Sequence, residues 1–141
     1  MSSYGFSGAR AYATVGLETG VDANSPHGLI VMLYDGALLA ISRARQAIAN
    51  GDVQTRTTTI TKAIQIIEEG LIVALDHRSG GELAGRLGAL YRYMSSRLLV
   101  ASLKNDTAAL DEVARLMGEL ADAWRSIDPR AAARAPMAAA A

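Results

Sequence analysis

Two histidines, four groups of neighbouring charges and one glycine pair are the residues of this 141-residue chain that could carry chemistry. His27 and His77 could ligate a metal or relay a phosphoryl group. A di-metal helical bundle needs Glu-x-x-His pairs, and neither histidine has a glutamate three residues before it. A phosphotransfer bundle displays its histidine in mid-helix, whereas the sequence places His27 at the start of one helix and His77 at the end of another. Glu68-Glu69 and Asp111-Glu112 are neighbours in sequence, and adjacent residues on a helix point apart, so they read as solvated faces rather than acid–base pairs. Gly80-Gly81 has no following Lys-Ser/Thr and no preceding strand, which removes a phosphate loop. Arg43 with Arg45, and Arg92 with Arg97, are too sparse for a nucleic-acid footprint. No catalytic constellation, metal site or cofactor site is expected, and the chain is not expected to be an enzyme.

Composition points the same way. Fourteen basic residues balance fourteen acidic ones, so no net field attracts nucleic acid or an anionic membrane. Cysteine is absent, which excludes disulfides and thiolate chemistry and fits a reducing compartment. Half the residues are apolar, yet the aromatics amount to one Trp, one Phe and five Tyr. Alanine and leucine dominate, and this favours an all-α domain. The first twenty residues lack a basic start followed by an apolar core, so no secretory leader is expected. The apolar runs are interrupted by Asp35, Arg43 or Glu68-Glu69 and fall short of a membrane span. A cytoplasmic chain with no membrane insertion is the expectation.

The elements that must position these residues are four helices. Ser25 is a cap and Pro26 an apt first helical residue, opening a helix that runs to Ala49 and stops at Asn50-Gly51. Asp52 caps a second, reaching about Asp76, with His77 and Arg78 at its carbonyl end and Ser79-Gly80-Gly81 as its breaker. A third spans roughly Glu82 to Leu103. Asn105 or Asp106 caps a fourth, which ends near Ile127 before Asp128-Pro129. The apolar stripes are regular. They read Ile30, Leu33, Ala37, Ala40, Ile41, Ala44, Ile48 in the first helix and Ile60, Ala63, Ile64, Ile67, Leu71, Ala74 in the second. The third gives Leu83, Leu87, Leu90, Met94, Leu98, Ala101 and the fourth Leu110, Val113, Met117, Leu120, Trp124, Ile127. Similar lengths and short turns predict an antiparallel up-down four-helix bundle over 25–128. Residues 1–24 are expected to be a flexible N-terminal segment able to dock on the bundle, and 129–141 a disordered Ala-rich C-terminal tail.

A bundle core uses about one stripe per helix, and several apolar residues lie outside it. These are Val31, Met32, Leu38 and Leu39, then Ile66, Ile72 and Val73, then Tyr93, Leu99, Val100 and Leu103. Wide cores and scattered exposed aliphatics account for some; a contiguous groove for a partner's amphipathic helix is the other reading.

One stretch carries more than physics. Ser25-Pro26-x-x-Leu29-Ile30-x-Met32-Leu33-Tyr34-Asp35-Gly36 resembles the signature of the FliS family. The likeness extends through Ala11-Tyr12, Lys62-Ala63, Ile66-Ile67, Leu75-Asp76, Gly80-Gly81-Glu82, Leu90-Tyr91, Tyr93-Met94, Arg97-Leu98, Leu103, Asn105-Asp106, Glu112-Val113 and Ala123-Trp124. The resemblance implies a four-helix bundle acting as a cytoplasmic chaperone. Its client would be the disordered C-terminal region of flagellin, kept from premature polymerisation and fit for flagellar type III secretion. It further implies contact with the cytoplasmic domain of the export-gate protein FlhA and, in some members, with the anti-sigma factor FlgM. The groove and plug residues expected from it are Tyr12, Met32, Leu33, Tyr34, Ile66, Val73, Tyr93, Leu99, Val100 and Leu103. The family commonly has a larger aliphatic at the position of Ala9, so the plug is expected to hold less firmly here. A helical adaptor for a regulatory partner such as an anti-sigma factor is the alternative reading.

Overall fold

The computed structural model describes residues 25–127. The expectations for the 1–24 segment, with Tyr12, and for the 129–141 tail lie outside the described residues. Four α-helices make up the bundle: α1 (Pro26–Ala49), α2 (Val53–Ile66), α3 (His77–Lys104) and α4 (Thr107–Arg125). A π-helical turn, Ile67–Leu71, prolongs α2. Packed neighbours run α1–α2, α2–α3, α3–α4 and α4–α1, closing a ring as in an up-down bundle.

Local chemistry sets the helix ends. Ser25 Oγ accepts the Gly28 N–H at 2.9 Å, with Pro26 at the first helical position. At the other end of α1, Asp52 N–H reaches Ala47 O at 2.8 Å and Gly51 N–H reaches Ile48 O at 3.2 Å. That pair of bonds is a Schellman cap, and it needs the positive φ of Gly51, +68°. Asp52 caps α2 through Thr55 N–H, and Asp106 caps α4 through Ala109 N–H. Between them Asn105, at φ +53°, closes α3, so the pair shares the work: Asn105 ends one helix and Asp106 starts the next.

The α2–α3 junction departs from the sequence reading. His77 and Arg78 do not lie at the carbonyl end of the second helix; they open α3. The α-helical part of α2 stops at Ile66, and Ile72 N–H then reaches back five residues to Ile67 O at 2.9 Å. The carboxylate of Asp76 accepts the N–H groups of Arg78 and Ser79, which starts a new helix instead of ending the old one. Gly81 remains the break, but inside α3: its φ of +52° and ψ of −121° kink the helix after one turn.

The core contains most of the expected stripes, and α1 supplies more buried residues than any other helix. From Gly28 to Ile41 almost every side chain of α1 is buried or half-buried. By length and composition α1 could cross a membrane, contrary to the sequence reading, yet 61% of its most apolar window is buried within the bundle. Tyr91 and Ala84 join the core from α3, whereas Leu83 of the expected stripe is exposed, beside the buried Ala84. Two ion pairs clip α1 to α4, Arg45 with Asp111 and Arg125 with Asp35. Half-exposed pairs of this kind add little stability compared with the apolar core.

Candidate partner-binding surface

The candidate residues separate into an interior set and a surface set. Met32, Leu33, Tyr34 and Ile66 are fully buried and do not line an open groove. On α1 both the stripe and much of its apolar surplus are buried, so the greasiness of this helix goes with burial on more than one face. Leu33, Tyr34 and Ile66 belong to the contiguous core. Ile66 turns inward together with Ile67 where the helix widens into its π turn. Val31 is buried, and Leu38 and Leu39 are half-buried.

The remaining described candidates lie at the surface. Leu103 is 75% exposed, Val73 73%, Leu99 53% and Tyr93 45%, with Val100 half-buried between them. Tyr93, Leu99, Val100 and Leu103 share one side of α3 over about 15 Å of helix. Val73 stands apart, in the turn that follows the π segment at the opposite end of α3. The structure therefore brings four of the surface candidates together and leaves the fifth at a distance.

A polar clamp borders this stripe. Tyr93 Oη donates to Glu112 Oε2 at 2.7 Å, and Arg97 Nε donates to Glu112 Oε1 at 2.7 Å, tying α3 to α4. The sequence reading placed Glu112 on a solvated face with Asp111 and missed this role. Spacing along α3, with Tyr93 and Arg97 one turn apart, was the only available signal. The hydrogen bond from Tyr93, then that from Arg97, holds the Glu112 carboxyl below its usual range. The same carboxylate raises Tyr93 and Arg97. A depressed carboxyl pKa contributes stability at pH values above the ordinary glutamate value, and that contribution is lost as pH falls through the folded value. By side-chain NMR, Glu112 should titrate below the ordinary glutamate value, and Tyr93→Phe should move it back up. An unmoved titration in Tyr93→Phe would show that the clamp does not operate in solution.

Among the described residues no group of His, Cys, Asp and Glu is placed to hold a metal ion. His27 instead stacks on Trp124, with ring centroids 5.5 Å apart. Deep in the bundle, Tyr34 and Tyr91 share a 2.8 Å hydrogen bond between their hydroxyls.

The fold and its surface define a small all-α bundle that leaves aliphatic and aromatic side chains of α3 in solvent. Residues 8–131 match the family model described as flagellar protein FliS, and the chain belongs to that family. A flagellar secretion chaperone FliS of Salmonella typhimurium is 48% identical over 91% of this chain and 95% of its own length. The Escherichia coli K12 protein of the same name is 45% identical over 86% of this chain and 90% of its own. That of Bacillus subtilis 168 is 39% identical over 77% and 79%.

Proposed function

We propose that this chain is a cytoplasmic export chaperone that holds the disordered C-terminal region of flagellin, keeps it from polymerising early and delivers it to flagellar type III secretion. The observation that carries this reading is the exposed run Tyr93, Leu99, Val100 and Leu103 on a bundle whose relatives are named flagellar secretion chaperones. A client that orders on binding must offset its lost conformational entropy, and apolar contact along a helix is the main source of that free energy. An amphipathic segment laid beside α3, with anchors at i, i+3, i+4 and i+7, would cover those side chains. The cytoplasmic domain of the export gate FlhA is the partner proposed for handover, and the anti-sigma factor FlgM a further one.

Calorimetric titration with a peptide spanning the C-terminal region of flagellin tests the proposal. One-to-one binding with a strongly negative heat-capacity change is expected. Leu99→Asp and Leu103→Asp should each weaken that binding about tenfold, while stability stays within about 0.5 kcal/mol because both side chains already face water. Absence of binding by a well-folded wild-type bundle would overturn the flagellin reading. Preference for folded FlgM over the flagellin peptide would favour a regulatory adaptor.

A further inference from the structure

At the end of the bundle where the α1–α2 and α3–α4 turns meet, a cleft of about 250 Å3 opens between Ala47, Ile48 and Val53 on one side and Arg56 and Asn105 on the other. That volume lies just below the roughly 300–1,000 Å3 typical of sites for drug-sized ligands, and it suits a group the size of one amino-acid residue. Two left-handed backbone positions shape it, Gly51 beside the cleft and Asn105 in its wall. Val53, 60% exposed, leaves an aliphatic side chain at the rim.

The polar side of the cleft is a guanidinium without a carboxylate partner. Asp52, one helical turn before Arg56, directs Oδ1 to the Thr55 N–H, and Arg56 forms no ion pair among the described residues. Arg56 Nη1 donates to Asn105 Oδ1. Its Nε is shut off from solvent and has no acceptor among the described residues. A desolvated donor left unpaired is costly, and a ligand that pairs it recovers that cost. With one Nη1 hydrogen given to Asn105, Nε–H and one Nη2–H are left as a parallel pair that matches a carboxylate.

We propose that this cleft binds a peptide carboxylate carried next to an aliphatic side chain. The carboxylate pairs with the Nε–Nη2 edge of Arg56 after a small swing of the guanidinium toward the opening. The aliphatic group lies against Ile48 and Val53. Asp52 stands in the same cleft with its carboxyl held ionised by the Thr55 hydrogen bonds, so a bare anion gains little there, and the apolar half of the ligand is needed as well. The site is separate from the α3 stripe and stands whether or not that stripe holds flagellin.

The test is NMR titration of the 15N-labelled protein, following Arg56 Nε–H and the amides of Gly51, Val53 and Asn105. N-acetyl-L-leucine presents the carboxylate as a chain terminus, and acetyl-leucyl-glutamate amide presents it as a side chain. Saturable, downfield movement of Arg56 Nε–H with either probe is the expected result, and the stronger of the two identifies the source. N-acetyl-L-leucinamide and acetate should each shift these signals at least about tenfold more weakly. Equal shifts with the leucinamide would overturn carboxylate recognition, and no saturable shift with any probe would overturn the site. Arg56→Gln should abolish the response with an unchanged circular dichroism spectrum. A retained response in that variant would also overturn it, and Arg56 Nε–H in the wild type decides the matter if the variant fails to fold.

Discussion

Trp124→Ala is expected to destabilise the bundle by about 3–5 kcal/mol, measured by guanidinium unfolding followed through far-ultraviolet circular dichroism. Trp124 is the largest of the fully buried side chains, so truncation leaves a large cavity near the end of α4. Two reciprocal bonds also join this residue to His27. Trp124 Nε1 donates to the His27 carbonyl at 2.9 Å, and His27 Nε2 donates to the Trp124 carbonyl at 3.0 Å, with the two rings stacked 16° from parallel. The variant loses the first bond and the stacking together. Against a total of about 5–15 kcal/mol for a domain, this is a large share. Trp124→Phe keeps most of the volume and should cost clearly less. A cost under about 1 kcal/mol for Trp124→Ala would mean that the end of α4 is not locked to the start of α1 in solution.

Tyr34→Phe and Tyr91→Phe should each cost about 1–3 kcal/mol, and the double variant little more than either alone. Each single change strands the other hydroxyl in the core, where no water replaces the lost partner; the double change removes both polar groups at once. Additive costs would show that the two hydroxyls do not depend on each other. The pair also predicts an alkaline limit. Burial, then the neighbouring Tyr91, pushes Tyr34 far above the ordinary tyrosine value, and burial raises Tyr91 despite its bond to Tyr34. The folded state therefore keeps both protons where the unfolded chain releases them. Stability from the pair is complete below about pH 10 and declines as pH rises beyond it. Unfolding midpoints of the wild type should fall more steeply above that pH than those of the Tyr34→Phe/Tyr91→Phe variant.

The fold was legible where a local rule acts on a few residues. Ser25, Asp52 and Asp106 are caps by residue type, Asn50-Gly51 is a left-handed stop, and the α4 stripe from Leu110 to Trp124 keeps its period without a fault. The junction after α2 was not legible, because a π turn depends on which carbonyl Ile72 N–H selects, and α and π spacing share the same residue types. The surface was half legible. Periodicity separates a stripe from its surplus, but it cannot say whether a helix lies at the centre of a bundle or on its flank. Val31 and Met32 on α1 and Leu99 and Leu103 on α3 look alike in sequence, and only the packing places the first pair inside and the second in water. The clamp at Glu112 and the bond between Tyr34 and Tyr91 join residues on different helices, which no local pattern encodes.

The packing of α1 against α4 also constrains the order in which the chain folds. Its partner at the His27 lock, Trp124, is 97 residues further along, so among the described residues the first helix is closed off by the last. Until α4 emerges, the α1 surface that meets Leu110, Val113 and Trp124 has no cover, and local helix formation alone cannot complete the core. Folding of this small bundle is thus tied to a long-range closure, slower than its short turns alone would allow. A nascent chain still missing α4 presents its most apolar helix to the cell, and a chain truncated before Trp124 should aggregate instead of persisting as a three-helix intermediate.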